Sequence, residues 1–355
     1  MHTPDETLAD ALARYAELVD AELHRLLDTR DGRGDASNLY SLVRYHLGWV
    51  DELARPIAAP RGKGLRASLL LLVAEALGGD AAVAAPLAAA IELLHNFSLL
   101  HDDIEDGSLT RRHRPTVWSL WGTPRGINAG DSLHALAHVA LLNCPLRHGA
   151  PKSFIDILDH FEQATLQLCE GQHLDMIFEK EPITHISVDL YLRMIEGKTA
   201  SLIATAAWIG ARAAGANKRR VEAAYTCGYR LGMAFQIQDD ILGIWGDEAV
   251  TGKSAVGDIV SRKKTLPILL AVAHGSNAIS GNLSSAYSRP HEDGDERDIR
   301  AIMYSLDDAN ARALSEDYLR RYRDDAYAAL EAMDLPDEAR DRLWSFARLF
   351  VERTA

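Results

Sequence analysis

Hydrophobic positions recur every three to four residues along almost the whole chain, and strict alternation is nearly absent. The opening run DETLADALARYAELVDAELHRLL puts Leu8, Leu12, Tyr15, Val19, Leu23 and Leu26 on one helical face. RDGRGDAS then reads as a loop, with Ser37 or Asn38 capping a second helix that runs through Val50. RPIAAPRGKG is a further loop, and ASLLLLVAEAL a helix stopped by Gly78 and Gly79. The pattern predicts a long helix over 81–106 and further helices over 116–121, 129–143, 152–179, 187–213, 217–245, 258–274, 296–305, 308–333 and 336–353. Residues 275–296, polar and rich in Gly and Ser, read as a surface loop. No linker or short repeat interrupts the series, so residues 1–355 are expected to form one all-α domain of about a dozen helices.

Composition narrows the class. The 355 residues are 47% hydrophobic and 25% charged, ordinary for a soluble globular protein. A net charge of −13 argues against a nucleic-acid or anionic-membrane binder, although a local basic pocket could still take a small anion. Three scattered cysteines without a CxxC fit a reducing cytoplasm and neither a disulfide framework nor a zinc site. The N-terminus lacks the apolar core of a signal peptide, and stretches such as ASLLLLVAEALGG fall short of a membrane span.

The chemistry is concentrated where apolar helices end. HNFSLLHDDIEDGSLTRRHRPT, residues 95–116, packs both signs of charge directly behind an apolar run. Asp102 and Asp106 are about 40° apart on one helical face, with Asp103 beside them. A second acidic pair, Asp239 and Asp240, follows the apolar part of GMAFQIQDDILGIWGD. Carboxylates this close repel unless neutralised, and Mg2+, a hard ion that accepts carboxylate, water and phosphate oxygens, is the economical neutraliser. Basic groups suited to phosphate stand at Lys63, Arg66, Arg111, Arg112, Lys198, Lys253, Lys263 and Lys264. Taken singly, an Asp-Asp pair is more often a solvated helix end, and a lone His95 more often a satisfied core histidine. Their joint order along the chain is what singles them out.

That order resembles the trans-isoprenyl diphosphate synthases, the polyprenyl synthetase family, from about residue 60 to 271. HDDIED is similar to the family's first aspartate-rich motif, which implies that Asp102, Asp103 and Asp106 bind metal. RRHRPT resembles the arginine pair behind it, implying that Arg111 binds an allylic diphosphate and Arg112 isopentenyl diphosphate. The resemblance gives His95, Lys63 and Arg66 to isopentenyl diphosphate as well. EGKTASL resembles the family's Lys-Thr motif through Lys198 and Thr199. FQIQDD resembles the segment of the second aspartate motif, with Phe235 and Gln236 facing substrate and Asp239 and Asp240 on metal. Lys253 matches a lysine that closes on the allylic diphosphate, and VGDIVSRKKTLPILLA, with Lys263, resembles a flexible loop.

Two departures stand out. RGKGLRA has Gly64 and Ala67 where the family has a basic residue and a proline, with Arg61 nearby. DDILG has Gly243 where the second motif usually has a third carboxylate, with Asp247 nearby.

The resemblance implies a helical bundle of isoprenoid synthase type around a central apolar cavity, mostly antiparallel and homodimeric. It implies Mg2+ as cofactor, about three ions per site, with Mn2+ as the alternative. The substrates would be isopentenyl diphosphate and allylic diphosphates of C5 to C15. The allylic diphosphate would ionise, the double bond of isopentenyl diphosphate would attack the cation, and a proton would pass to the released diphosphate. Phe97 lies five residues before Asp102, about 7.5 Å down the helix, where this family's side chains project into the tail pocket. With small Ser98 beside it, Phe97 resembles the pattern of geranylgeranyl (C20) synthases, with C15 and C25 as alternatives. Rival readings are a squalene- or phytoene-synthase-like enzyme, a class I terpene synthase, and a catalytically weak subunit that modulates a true synthase.

Overall fold

The computed structural model describes residues 7–30, 35, 37–57, 59, 62–246, 256–288 and 296–351. The chain divides into two compact units, Met1–Glu162 with Ala206–Val221 and Gln163–Thr205 with Glu222–Ala355.

In the first unit, helix α1 spans Leu8–Asp28 and opens with a reciprocal cap between Thr7 and Asp10. It buries Tyr15, Val19, Leu23 and Leu26, four of the six positions on the expected face. Helix α2, Leu39–His46, is capped by the Asn38 side chain, which accepts from the Tyr40 amide. Helix α3, Leu65–Ala76, stops before Gly78. Helix α4, Ala81–Glu105, starts at the cap Asp80 and is buried on nearly every side in its first half. By length and hydropathy α4 could cross a membrane, contrary to the expectation that no stretch would, but 67% of its apolar window is buried in the protein. It is a core helix.

A short hairpin pairs Thr110–Arg111 (β1) with Arg114–Pro115 (β2). Helix α5, Val117–Trp121, and helix α6, Thr123–Leu142, follow. The start of α6 lies ahead of the expected residue 129 because Pro124 sits in its first turn, where a missing N–H costs nothing. Buried Gly126, Ala129, Gly130 and Ala137 let α6 pack along the equally alanine-rich α4. The short helix α7 is Leu146–Gly149, and helix α8 runs over Pro151–Lys180, its residues from Gln163 counted in the second unit.

In the second unit, helix α9, Val188–Ile195, leads into one π-helical turn, Glu196–Ala200. Helices α10, Ser201–Ala213, and α11, Lys218–Trp245, come next, with Ala206–Val221 counted in the first unit. The helix expected over 258–274 is two pieces, α12 (Gly257–Val260) and α13 (Leu266–His274). Residues 275–296, expected as a loop, contain a helix, α14, over Asn277–Ser288. Ile279, Leu283 and Ala286 are spaced to bury one face, and that outweighs the Gly/Ser-rich composition. Helices α15 (Glu296–Asp308), α16 (Ala311–Glu331) and α17 (Asp337–Val351) complete the unit. Its core gathers Met233, Ile237, Ile241, Ile259, Leu266 and Leu270.

Candidate active site

The end of α4 carries the first acidic group. Asp102 is half-buried, Asp103 is 1% exposed, and Asp106 is the exposed C-cap. The hairpin behind them turns through Arg112 and His113, both left-handed with φ of 53° and 61°, the φ signs of a type I′ turn without glycine. Each such residue costs about 1–3 kcal/mol and persists only where its surroundings hold it. Arg114 does the holding: it donates to Tyr45 O at 2.9 Å and Val50 O at 2.8 Å, with its guanidinium 4.0 Å from the Tyr45 ring centre. Arg111 is thereby brought back onto the aspartates. Its Nε donates to Asp103 Oδ1 at 2.6 Å and its Nη2 to Asp102 Oδ2 at 3.2 Å. One part of the mixed charge of residues 95–116, Arg111 with Asp102 and Asp103, is thus paired across the turn. Asp103 Oδ2 is buried with no hydrogen-bond partner. Burial raises the Asp103 pKa, against the pull of Arg111.

Higher on α4, His95 Nε2 lies 3.3 Å from Arg66 Nη1. Burial first, then Arg66 and Arg112, hold the His95 pKa well below its ordinary value, so the ring is neutral. With Arg66 as donor, Nε2 accepts, which assigns the proton to Nδ1. Gly64, at φ 57°, begins α3 in the left-handed region, which accounts for a glycine there. Lys63 is exposed, and Gly62 leaves room for the Arg112 guanidinium, whose Nη2 would stand 2.6 Å from any Cβ. Lys63 and Arg112 line a cavity of about 240 Å3 together with Tyr15, Trp49, Asn96 and Glu92. Glu92 was missed in the sequence, although it precedes His95 by one turn on the same face. Burial raises its pKa, Arg66 and Arg112 oppose that, and Asn96 donates to it at 3.2 Å. Phe97 packs edge-on to His101, ring centres 4.8 Å apart, and against His134 at 5.1 Å. Ser98 donates to His95 O at 2.8 Å.

In the second unit, Gly171 of α8 meets Gly197 backbone to backbone. A Cβ on Gly171 would overlap the Lys198 amide, and one on Gly197 would stand 2.5 Å from Gln167 O. The π-turn at this contact presents Lys198 and Thr199, consistent with the habit of such turns to mark functional positions. Lys198 Nζ donates to Asp175 Oδ2 at 2.5 Å, a partner that no motif had singled out. Thr199 Oγ1 donates to Gln236 Oε1 at 2.9 Å, and Gln236 Nε2 to Asp240 Oδ1 at 3.2 Å. The other Asp240 oxygen accepts from the Tyr191 hydroxyl and, at 3.2 Å, from the Leu266 amide.

The surroundings of Asp240 set it apart from the other aspartates expected on metal. Asp240 is 3% exposed, its pKa is raised to about 7, chiefly by burial, and both oxygens are committed to internal donors. Asp239 is half-buried beside it. Phe235 meets Phe350 edge-on at 5.6 Å. Lys263 is exposed, whereas Lys264 donates to Phe178 O at 2.5 Å and Glu179 O at 2.9 Å, tying down the end of α8. Lys253, Asp247 and Arg61 lie outside the described residues.

Among the described residues, no three His, Cys, Asp or Glu side chains are placed to hold a metal ion unaided. The donors are all carboxylate oxygens, and Asp103 Oδ2 is buried without a partner. Such a set fits a hard ion whose shell is completed by water and phosphate oxygens, as is usual for Mg2+.

The profile of the Polyprenyl synthetase family matches residues 48–305. A (2E,6E)-farnesyl diphosphate synthase of Mycobacterium tuberculosis is 38% identical over 343 residues, 96% of this chain and 91% of that protein. A geranylgeranyl diphosphate synthase of the same organism is 41% identical over 268 residues, 76% of this chain and 73% of that one. The crystal structure of a polyprenyl synthetase from Streptomyces coelicolor A3(2) superposes with a TM-score of 0.86 at 35% identity, over 97% of this chain and 99% of the other. With the arginine-bridged aspartates and the Lys-Thr turn in hand, the match fixes the class: the chain belongs to the polyprenyl synthetase family, whose members are isoprenyl diphosphate synthases and therefore prenyltransferases.

Proposed function

We propose that this chain condenses isopentenyl diphosphate with allylic diphosphates of C5 to C15 in a Mg2+-dependent reaction and releases geranylgeranyl diphosphate (C20). The observation that carries this reading is the Asp102–Asp103 pair bridged by Arg111, with one buried carboxylate oxygen unpartnered. Asp102, Asp103, Asp106 and Asp239 would hold the ions, with Mn2+ as an alternative to Mg2+. When bound, the metal supplies Lewis-acid charge that stabilises the departing diphosphate.

The protein's own groups do the rest. Arg111 and Lys198 bind allylic diphosphate oxygens, with Lys253 and Lys263 as further cations on that substrate. Lys63, Arg66, neutral His95 and Arg112 bind isopentenyl diphosphate, and Glu92 keeps Arg66 and Arg112 in place. Gln236 is oriented by Thr199 on one side and Asp240 on the other, so Asp240 acts as a positioning residue rather than a ligand. Phe97, held between His101 and His134, sets the depth available to the growing chain. The working form is a cytoplasmic homodimer.

The test is product analysis. The purified chain is incubated with isopentenyl diphosphate, Mg2+ and, separately, C5, C10 and C15 primers, and the dephosphorylated alcohols are sized. A C20 alcohol that EDTA abolishes is expected, together with loss of turnover in Asp102→Ala. A C15 product, as the 38% identical relative's name suggests, would keep the enzyme and discard the C20 assignment. An Asp102→Ala rate within about threefold of the parent would discard the metal assignment. No elongation at all would favour the modulatory-subunit reading.

A further inference from the structure

Two buried polar atoms of the first unit have no hydrogen-bond partner, and their residues line one small cavity. One atom is Asp103 Oδ2, and the other is Nε2 of His46, the last residue of α2. The cavity measures about 30 Å3, and Tyr45, Arg111, Arg112 and Arg114 wall it. That exceeds the roughly 10–15 Å3 that one water molecule requires.

The end of α2 is fixed through the residue before His46. The Tyr45 hydroxyl donates to Pro115 O at 2.8 Å, and Tyr45 O accepts from Arg114 at 2.9 Å. Both contacts hold α2 on the β1–β2 hairpin, the same hairpin that carries Arg111 to Asp103. A circuit of contacts thus runs from α2 through the hairpin and Arg111 to Asp103. It stays open at one point, between Asp103 Oδ2 and His46 Nε2.

The protonation of the ring decides what can close it. Burial first, then Arg112 and Arg111, push the His46 pKa down to about 3, so the imidazole is neutral. Buried Asn96 offers the ring a hydrogen bond. The Asn96 amide nitrogen already donates to Glu92 O at 2.8 Å and Glu92 Oε1 at 3.2 Å, so its oxygen is left to accept from the ring. Because Nε2 has no partner, that bond falls to Nδ1, which assigns the proton there and leaves Nε2 a lone pair. Nε2 and Oδ2 are then both acceptors and cannot bond each other. What joins them must bring two donor hydrogens, fit the cavity and carry no positive charge among three guanidiniums. Water meets all three conditions, and an ammonium ion fails the last.

We propose that His46 is a positioning residue of the first acidic motif, holding Asp103 through one buried water between Nε2 and Oδ2. With Arg111 on Oδ1 and the water on Oδ2, the carboxylate is held at both oxygens and cannot rotate away from its neighbours. A carboxylate oxygen accepts in more than one direction, so the water leaves Oδ2 able to meet an ion. The water site stands by itself, whereas its consequence for turnover rests on the prenyl-transfer reading above.

The experiment uses the full chain, His46→Phe, which keeps a ring but has no lone pair, and His46→Gln, whose amide can hold the water. A crystal structure of the parent is expected to show a water within about 3.2 Å of both atoms, and that of His46→Phe none. Mn2+ binding is titrated with inorganic pyrophosphate, and thermal midpoints and both KM values are measured. In His46→Phe, Mn2+ affinity is expected to fall about 10-fold and the KM for the allylic diphosphate to rise as much, while that for isopentenyl diphosphate stays within about threefold. His46→Gln is expected to return both to within about threefold of the parent. A parent structure without the water overturns the proposal, and so does parental Mn2+ binding in His46→Phe. Equal rises in both KM values with a lower midpoint would make His46 merely structural and overturn it too. A parent that holds the water and loses Mn2+ affinity in His46→Phe, yet elongates nothing, supports the positioning role and discards the prenyl-transfer reading.

Discussion

At the scale of single residues, Phe97 is where the proposed chain-length limit can be tested. It is half-buried on α4, edge-on to His101 and tilted against His134, each such pair worth about 0.5–1.5 kcal/mol. That fixes its rotamer, which a chain-length stop requires. Truncation to alanine would remove the ring and leave space that His134 cannot fill from α6. Phe97→Ala is therefore expected to shift products beyond C20 while costing about 1–3 kcal/mol of stability. Chromatography of the alcohols from parent and variant checks this, and an identical length distribution would take Phe97 out of the floor of the pocket. Neutral His95 and buried Asp240 make a related point. Sequence position marked both as ligands of something, but only burial and hydrogen bonding separate a group aimed at substrate from one that holds its neighbour.

Among the elements, the sharpest constraint is the approach of α8 to the π-turn. Gly171 and Gly197 bring two backbones together, and the turn at that contact offers Lys198 and Thr199. A methyl group on Gly171 has only backbone to displace. Gly171→Ala is expected to lower stability by about 1–3 kcal/mol and to reduce turnover by more than that loss explains, since Lys198 and Thr199 move with the turn. Urea unfolding and kinetics on the same preparation test it, and a variant of parental stability and rate would show that the contact yields freely. None of this was legible in the sequence, which reads 187–213 as one uninterrupted helix. Elements with strong periodicity and proper caps were legible, α1, α4 and α11 nearly to the residue. The failures have physical causes. Composition hid the apolar stripe of α14, and the break between α12 and α13 falls between left-handed Arg262 and Pro267 in the first turn of α13, where Asp240 also accepts from the Leu266 amide. The candidate site divides in the same way: the Asp, Arg and Lys-Thr positions stood out by spacing, whereas the interactions of Glu92 with Arg66, Asp175 with Lys198 and Tyr191 with Asp240 join residues distant in sequence.

For the whole molecule, the remaining question is what covers the apolar side chains left on the surface. Helix α6 exposes Ile127 and Leu142, each 44% accessible, and helix α8 exposes Ile155 at 64% and Leu166 at 58%. Scattered exposed leucines are ordinary, but several on two long helices are what an isologous interface would use. The net charge of −13 works against self-association at long range, so a dimer of this chain would depend on apolar burial and gain from added salt. A homodimer is accordingly expected at micromolar concentration by light scattering. Leu166→Glu would desolvate a charge at the contact and drive the mass toward that of one 39.0 kDa chain. A parent that is already monomeric under these conditions would sink the dimer. A variant that stays dimeric would move the interface away from α8, and the same mutation on Ile127 of α6 would then decide whether that helix is the one in contact.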